Sequence, residues 1–330
     1  MQELKVPGAA IVLLQHGQPV WAAQFGQRAR AAADAPAPPV TADTVFEAAS
    51  MSKPVFAYLV MQQVQAGRLD LDVPLERYLE EPPERFDAPP AWQGRITTRM
   101  LLDHTAGLPN WRAGGDEHIG TVALLAEPGR QFHYSGEGYF YLQRVLEHLS
   151  GEPLEALAER HLFGPLGMRH TSFVMTAALL PLRARGHDEA GHALPYSSYP
   201  RANAAYSLQT TAADYARFIE ELLNADRSAA HSIDDRWMME MLAHQVLATG
   251  REPIVRPGAA HGLQAFWGLG WGINTTSALG DIVYHSGSNS TGYRCYSQFS
   301  PSRRSGLVLM SNGLAGNLLW QRLIAAVGDL

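Results

Sequence analysis

The order of elements along the chain predicts an α+β (mixed α/β) fold, an antiparallel sheet flanked by helices with an inserted, mainly helical region. Strand-like runs occupy both ends of the sequence, helix-like runs fill the middle, and a helix near residue 50 is apolar on every side. Sheet-forming segments far apart in sequence must then meet in one sheet, because each apolar strand face needs a covering layer. On this reading residues 1–55 and 205–330 form a sheet region built from both termini. Residues 56–204 form the helical region, and the whole is one unit with its site between the two.

Each element has its own signal. Apolar runs at 9–15 and 19–26 flank His16-Gly17 and read as a hairpin. The Ala- and Pro-rich stretch 31–39 reads as a surface loop. Ser50-Met51-Ser52-Lys53-Pro54 is followed by an unbroken apolar run, 55–61, and by Gly67. Proline is tolerated only in the first turn of a helix, so the helix must begin at about Ser50. Its all-round apolarity buries it, and Gly67 stops it. Further helices are expected at 97–103, at 138–149 ending on Gly151, and at 212–223 capped by Thr211 with Asp214 in the first turn. Strands are expected at 267–273, 281–285, 293–299 and 306–310, with a turn at Ser300-Pro301-Ser302-Arg303, and a last helix at 318–327. There are no internal repeats.

Composition removes several classes. In 330 residues, 46% hydrophobic content and 18% charge support a large core rather than a disordered chain. A net charge of -6 with no basic run argues against nucleic-acid partners. No run of 18 apolar residues predicts a membrane span. The N-terminus lacks a signal-peptide pattern, which fits either a cytoplasmic protein or an exported one whose leader has been removed. Cys295 is the sole cysteine, so no internal disulfide forms, and its strand-like setting gives it a packing role. No G-x-S-x-G, H-E-x-x-H or phosphate-cradling motif is present. His187, Asp188, Glu189 and His192, between Gly186 and Gly191, read as a polar hairpin turn rather than a metal site. No metal or cofactor is expected.

The chemistry starts at Ser50 and Lys53. Residues three apart on a helix share a face, so the lysine can reach the serine hydroxyl. Burial and the positive end of a helix both disfavour an ammonium ion, which would make the lysine a better base. Alone, S-x-x-K is a short and common pattern that reads first as an N-cap beside a solvated lysine. Its setting is more specific, since S-x-x-K opening a buried helix is the nucleophile motif of penicillin-binding proteins and β-lactamases. With Val6-Pro7-Gly8-Ala9, Leu101-Leu102-Asp103-His104-Thr105-Ala106-Gly107-Leu108 and Pro165-Leu166-Gly167-Met168 added, nearly the whole chain resembles the class C β-lactamase-like family of serine hydrolases. That family holds β-lactamases, D,D-peptidases, D-aminopeptidases and esterases.

The resemblance implies a β-lactamase/D,D-peptidase-like fold and further site residues. Tyr134, in Tyr134-Ser135-Gly136, stands where the family's Y-x-N tyrosine relays the nucleophile's proton; Gly136 departs from the asparagine. His285-Ser286-Gly287 stands where the family has Lys-Thr-Gly, in the His-x-Gly form of some esterases and peptidases. Gly287 would let a ligand approach the backbone, and the backbone amides of Ser288 and Ser50 would form the oxyanion hole. Ser50, Lys53, Tyr134 and His285 are thus the candidate catalytic residues, with Ser50, Gly287 and Ser288 binding substrate. The expected partner is a small-molecule acyl substrate, first an ester of a small carboxylic acid. The alternatives are a β-lactam or D-peptide substrate, or a catalytically silent binding or regulatory homologue.

Overall fold

The first and last strands of the chain lie side by side. In this computed structural model, which describes residues 1–29, 37–79, 86–114, 121–249, 264–276 and 280–327, Gly8–Gln15 (β1) pairs antiparallel with Gln18–Gly26 (β2) on one edge and with Ser305–Ser311 (β12) on the other. Beyond β12 the sheet continues through Tyr293–Ser300 (β11), Gly280–Asn289 (β10), Gly272–Thr276 (β9), Gln264–Trp267 (β8) and Val246–Leu247 (β7). The remaining strands form two small ribbons: Phe46–Glu47 (β3) with Gln209–Thr210 (β6), antiparallel, and Phe86–Asp87 (β4) with Val122–Ala123 (β5), parallel.

The helices are Ser52–Gln65 (α1), Thr98–Leu102 (α2), Gly136–Ser150 (α3), Leu154–Ala158 (α4), Gly164–Leu166 (α5), Ala212–Leu223 (α6), Asp235–Met241 (α7) and Gly316–Val327 (α8). The cap expected at Thr211 and the stops expected at Gly67 and Gly151 are present, and Ser135 adds a cap beyond those expected. Thr211 accepts the N–H of Asp214 at 3.0 Å, and Ser135 accepts that of Gly138 at 2.9 Å. Gly67 and Gly151 end α1 and α3 with φ of +69° and +70°, a conformation that costs glycine nothing. Among the described residues no helix is long and apolar enough to cross a membrane.

The two faces of the sheet follow the two-residue period of a strand. Ile11, Tyr284, Tyr296, Leu307 and Leu309 lie under α8, with Trp320 stacked on Tyr296 at 4.3 Å. Val12, Leu14, Val308, Met310, Cys295 and Phe299 face the larger core around α1 and α6. Every residue of α1 from Ser52 to Met61 is buried, as its all-round apolarity requires.

Two strand expectations need correction. The single strand expected at 267–273 is two strands, β8 and β9, joined by a reversal at 268–271. Gly268 N–H donates to Trp271 O, and Gly270, with φ +93°, presses so close to α1 that a Cβ there would lie 2.5 Å from Ala57 Cβ. The strand expected to end at His285 runs on to Asn289, because β11 pairs with it as far as Asn289↔Tyr293. Of the loop expected at 31–39, residues 31–36 lie outside the described residues.

Candidate active site

Ser50 sits in a 3₁₀ turn, Ala49–Met51, that leads into α1. The turn is entered through Ala49 at φ +50°, a left-handed conformation that a side chain makes costly and that survives only when neighbours enforce it. Here Ala48 N–H donates to Leu208 O at 2.8 Å. Ser52 Oγ donates to Ala49 O at 2.6 Å and accepts from Leu208 N at 3.0 Å. Ser52 is therefore buried and occupied, whereas Ser50 is half-exposed.

Lys53, 1% exposed, extends its Nζ to Ser50 Oγ at 3.2 Å and to Ala205 O at 2.8 Å. The same Nζ lies 4.8 Å from the ring centre of Tyr134 and 5.7 Å from that of Tyr139. These two ring faces pack beside the amine and help fix where it sits.

Tyr134 is held by a residue that sequence reasoning used only as part of a motif. His104 O accepts from His133 N at 2.7 Å, and His104 Nδ1 accepts from Ser135 N at 3.1 Å. The histidine thus grips the residue on each side of Tyr134, and its ring lies 4.4 Å from the tyrosine ring. A backbone N–H can only donate, so Nδ1 is bare and the neutral ring carries its hydrogen on Nε2. Trp267, buried in β8, packs against both rings, 5.6 Å from Tyr134 and 5.2 Å from His104. Next to His104, the buried carboxyl of Asp103 is pushed up to about 6 by desolvation, against two hydrogen bonds from Thr105.

His285 lies within β10, 2% exposed, its ring 6.2 Å from Tyr134 and 5.5 Å from Trp267. Its Nδ1 contacts Ser286 O at 2.8 Å, and since a carbonyl only accepts, Nδ1 carries the hydrogen. Gly287 faces the turn before Ser50, and a Cβ on it would lie 2.0 Å from Ala48 O. The close approach that this glycine permits is thus made by the protein's own chain. Ser288 is exposed near the end of β10, opposite Arg294.

The structure therefore gathers Ser50, Lys53, Tyr134, His285 and Gly287 around one point, with Ser288 one residue beyond. Arg294 belongs elsewhere. Gly287 is opposite Cys295, so alternation turns Arg294 to the other face of the sheet, where its Cβ meets the start of α8 at Gly316. Its Nη1 donates to Asn289 O and Tyr293 O.

The other sequence candidates are structural. Cys295 is fully buried and its thiol is pushed up to about 12, mainly by desolvation. His187 and His192 flank the expected turn, where Asp188 N donates to His192 O, but His187 is buried and its Nδ1 contacts Asn312 O at 2.9 Å. Among the described residues no group of three His, Cys, Asp or Glu side chains is arranged to hold a metal ion. A separate cavity of about 630 Å³, lined by Lys5, Val6, Pro7, Gly26 and Gln27 among others, shares no residue with the Ser50 constellation.

A serine and a buried lysine three residues apart, beside a tyrosine and the strand segment His285-Ser286-Gly287, are the arrangement of a class of serine hydrolases built on this sheet. The chain belongs to the beta-lactamase family, whose model matches residues 1–329. It is 31% identical over 200 residues to esterase EstB of Burkholderia gladioli, a match covering 53% of this chain and 49% of that one. It is 23% identical over 337 residues to a beta-lactamase of Pseudomonas fluorescens, covering 94% and 90% respectively. The chain thus spans about half the length of the esterase in that match. In fold it is similar to the octameric penicillin-binding protein homologue from Pyrococcus abyssi, with TM-score 0.79 and 22% identity over 100% of this chain and 75% of that one.

Proposed function

We propose that this protein hydrolyses acyl substrates through a covalent intermediate on Ser50, and that esters of small carboxylic acids are its first substrates. The observation that carries this reading is the 3.2 Å contact between Lys53 Nζ and the half-exposed Ser50 Oγ. Ser50 Oγ attacks the acyl carbonyl while its one proton is taken up by the Lys53–Tyr134 pair, which acts together as the general base. Negative charge develops on the carbonyl oxygen, and the backbone amides of Ser50 and Ser288 stabilise it. Collapse of the tetrahedral species expels the alcohol, which takes back the proton. Water then attacks the acyl-enzyme, and acid leaves with Ser50 Oγ reprotonated. His285 borders Tyr134 and contributes a hydrogen-bonding edge in place of a permanent cation.

Esters lead because they are ready acyl donors and need little recognition. The test is a turnover panel of p-nitrophenyl esters, a chromogenic cephalosporin and D-alanyl peptides. Ester hydrolysis with the highest kcat/KM supports the reading. Efficient cephalosporin or D-peptide turnover with negligible esterase activity reverses the ranking. No turnover and no fluorophosphonate adduct indicates a silent binding homologue.

A further inference from the structure

We propose that Trp111 determines which acyl groups the Ser50 site accepts, an assignment that rests on the hydrolase reading above. A Cβ built on Gly136 would lie 2.4 Å from Trp111 Cζ2 and 2.5 Å from Cη2. The indole therefore occupies the volume into which any side chain at position 136 would start. The segment that carries this ring is held on both sides. Gly136 N donates to Asn110 O at 2.9 Å and to Asn110 Oδ1 at 3.0 Å, and Glu137 N also donates to Asn110 O. On the other side of Trp111, Arg112 forms a forked, nearly buried ion pair with Glu137, and its backbone N–H donates to the same carboxylate at 2.8 Å. The residues on both sides of Trp111 are thus pinned to the first turn of α3.

The position of that turn gives the indole its role. Gly136 is two residues from Tyr134, whose ring faces Lys53 Nζ. The Trp111 ring meets the Tyr206 ring at 5.5 Å, edge to face, and the residue before Tyr206 supplies the carbonyl that binds Lys53 Nζ. Trp111 therefore bridges the two segments that flank the lysine. Trp111 and Tyr206 are half-buried while Gly136 and Ala205 beneath them are buried, so the two rings present the accessible surface. A wall of this kind offers flat apolar area and no side-chain amide. It favours acyl groups that lay an aryl or alkyl face beside the scissile carbonyl over acylamino groups, which need a polar partner once desolvated.

The experiment compares native protein with Trp111→Ala on p-nitrophenyl acetate and p-nitrophenyl phenylacetate, with fluorophosphonate labelling of Ser50 as a parallel readout. The expected result is a roughly tenfold fall in the phenylacetate-to-acetate ratio of kcat/KM, the scale of a lost apolar pocket contact. A second pair tests the steric claim directly: Gly136→Asn should lose labelling rate, and adding Trp111→Ala should restore it. Trp111→Leu reads the same ratio if the alanine variant does not fold. Labelling at Ser50 with an unchanged ratio overturns the role of Trp111 and leaves the hydrolase reading standing. Failure of the native protein to label at Ser50 overturns both.

Discussion

Gly287 and the carbonyl of Ala48 touch: a Cβ on the glycine would lie 2.0 Å from that oxygen and 3.4 Å from Ala49 Cβ. This contact seats β10 against the turn that carries Ser50, and it fixes the relation between the serine and the strand bearing His285. Gly287→Ala must push strand and turn apart. Displacement of about 1 Å at a reacting group costs on the order of 100-fold in rate, so kcat/KM on a p-nitrophenyl ester should fall by about that factor. Circular dichroism should stay native-like. A folded Gly287→Ala protein with native turnover would show that the contact does not position the nucleophile.

One serine should be acylated. Ser50 is half-exposed and within reach of Lys53, whereas Ser52 donates to Ala49 O and Ser135 donates to Pro109 O at 2.7 Å while capping α3. Peptide mass mapping after fluorophosphonate treatment should find a single adduct, on Ser50. An adduct on Ser52 or Ser135 removes Ser50 from the mechanism.

Lys53→Ala should lose roughly two to four orders of magnitude in acylation rate, the range for a proton-transfer or charge-placing group. The lysine's side-chain contacts, which include Ser50 Oγ, Ala205 O and two ring faces, are not the backbone bonds of α1, so the helix should persist. Turnover is to be compared with the far-ultraviolet spectrum. Near-native turnover in the folded variant rules the lysine out.

Asp103 should make stability pH-dependent. Burial raises its carboxyl from 3.8 to about 6, so between those values the folded state holds a proton that the unfolded state has released. Its contribution is fully present below about pH 4 and is lost as pH rises through about 6. Asp103→Asn keeps an acceptor for Thr105 and has nothing to titrate. Relative to the native protein, the variant should gain on the order of 2–3 kcal/mol between pH 4 and pH 7. Urea unfolding at several pH values measures this, and parallel native and variant curves would exclude Asp103 as the source.

Much of this molecule is written locally. The stop at Gly67, the cap at Thr211 and the buried α1 follow from single residues or short periods, which act over one turn of chain. The family signature is also linear, so the sequence alone brings Ser50, Lys53, Tyr134 and His285 forward as candidates. Tertiary structure decided how those residues are held. His104 grips both neighbours of Tyr134, Trp267 packs against both rings, and Gly270 turns back two strands read as one. Trp111 fills the space above Gly136. Each of these depends on contacts between segments distant in sequence, where the decisive quantity is the volume left by another part of the chain. Periodicity and spacing record which face a residue takes, but they carry no information about what stands opposite it.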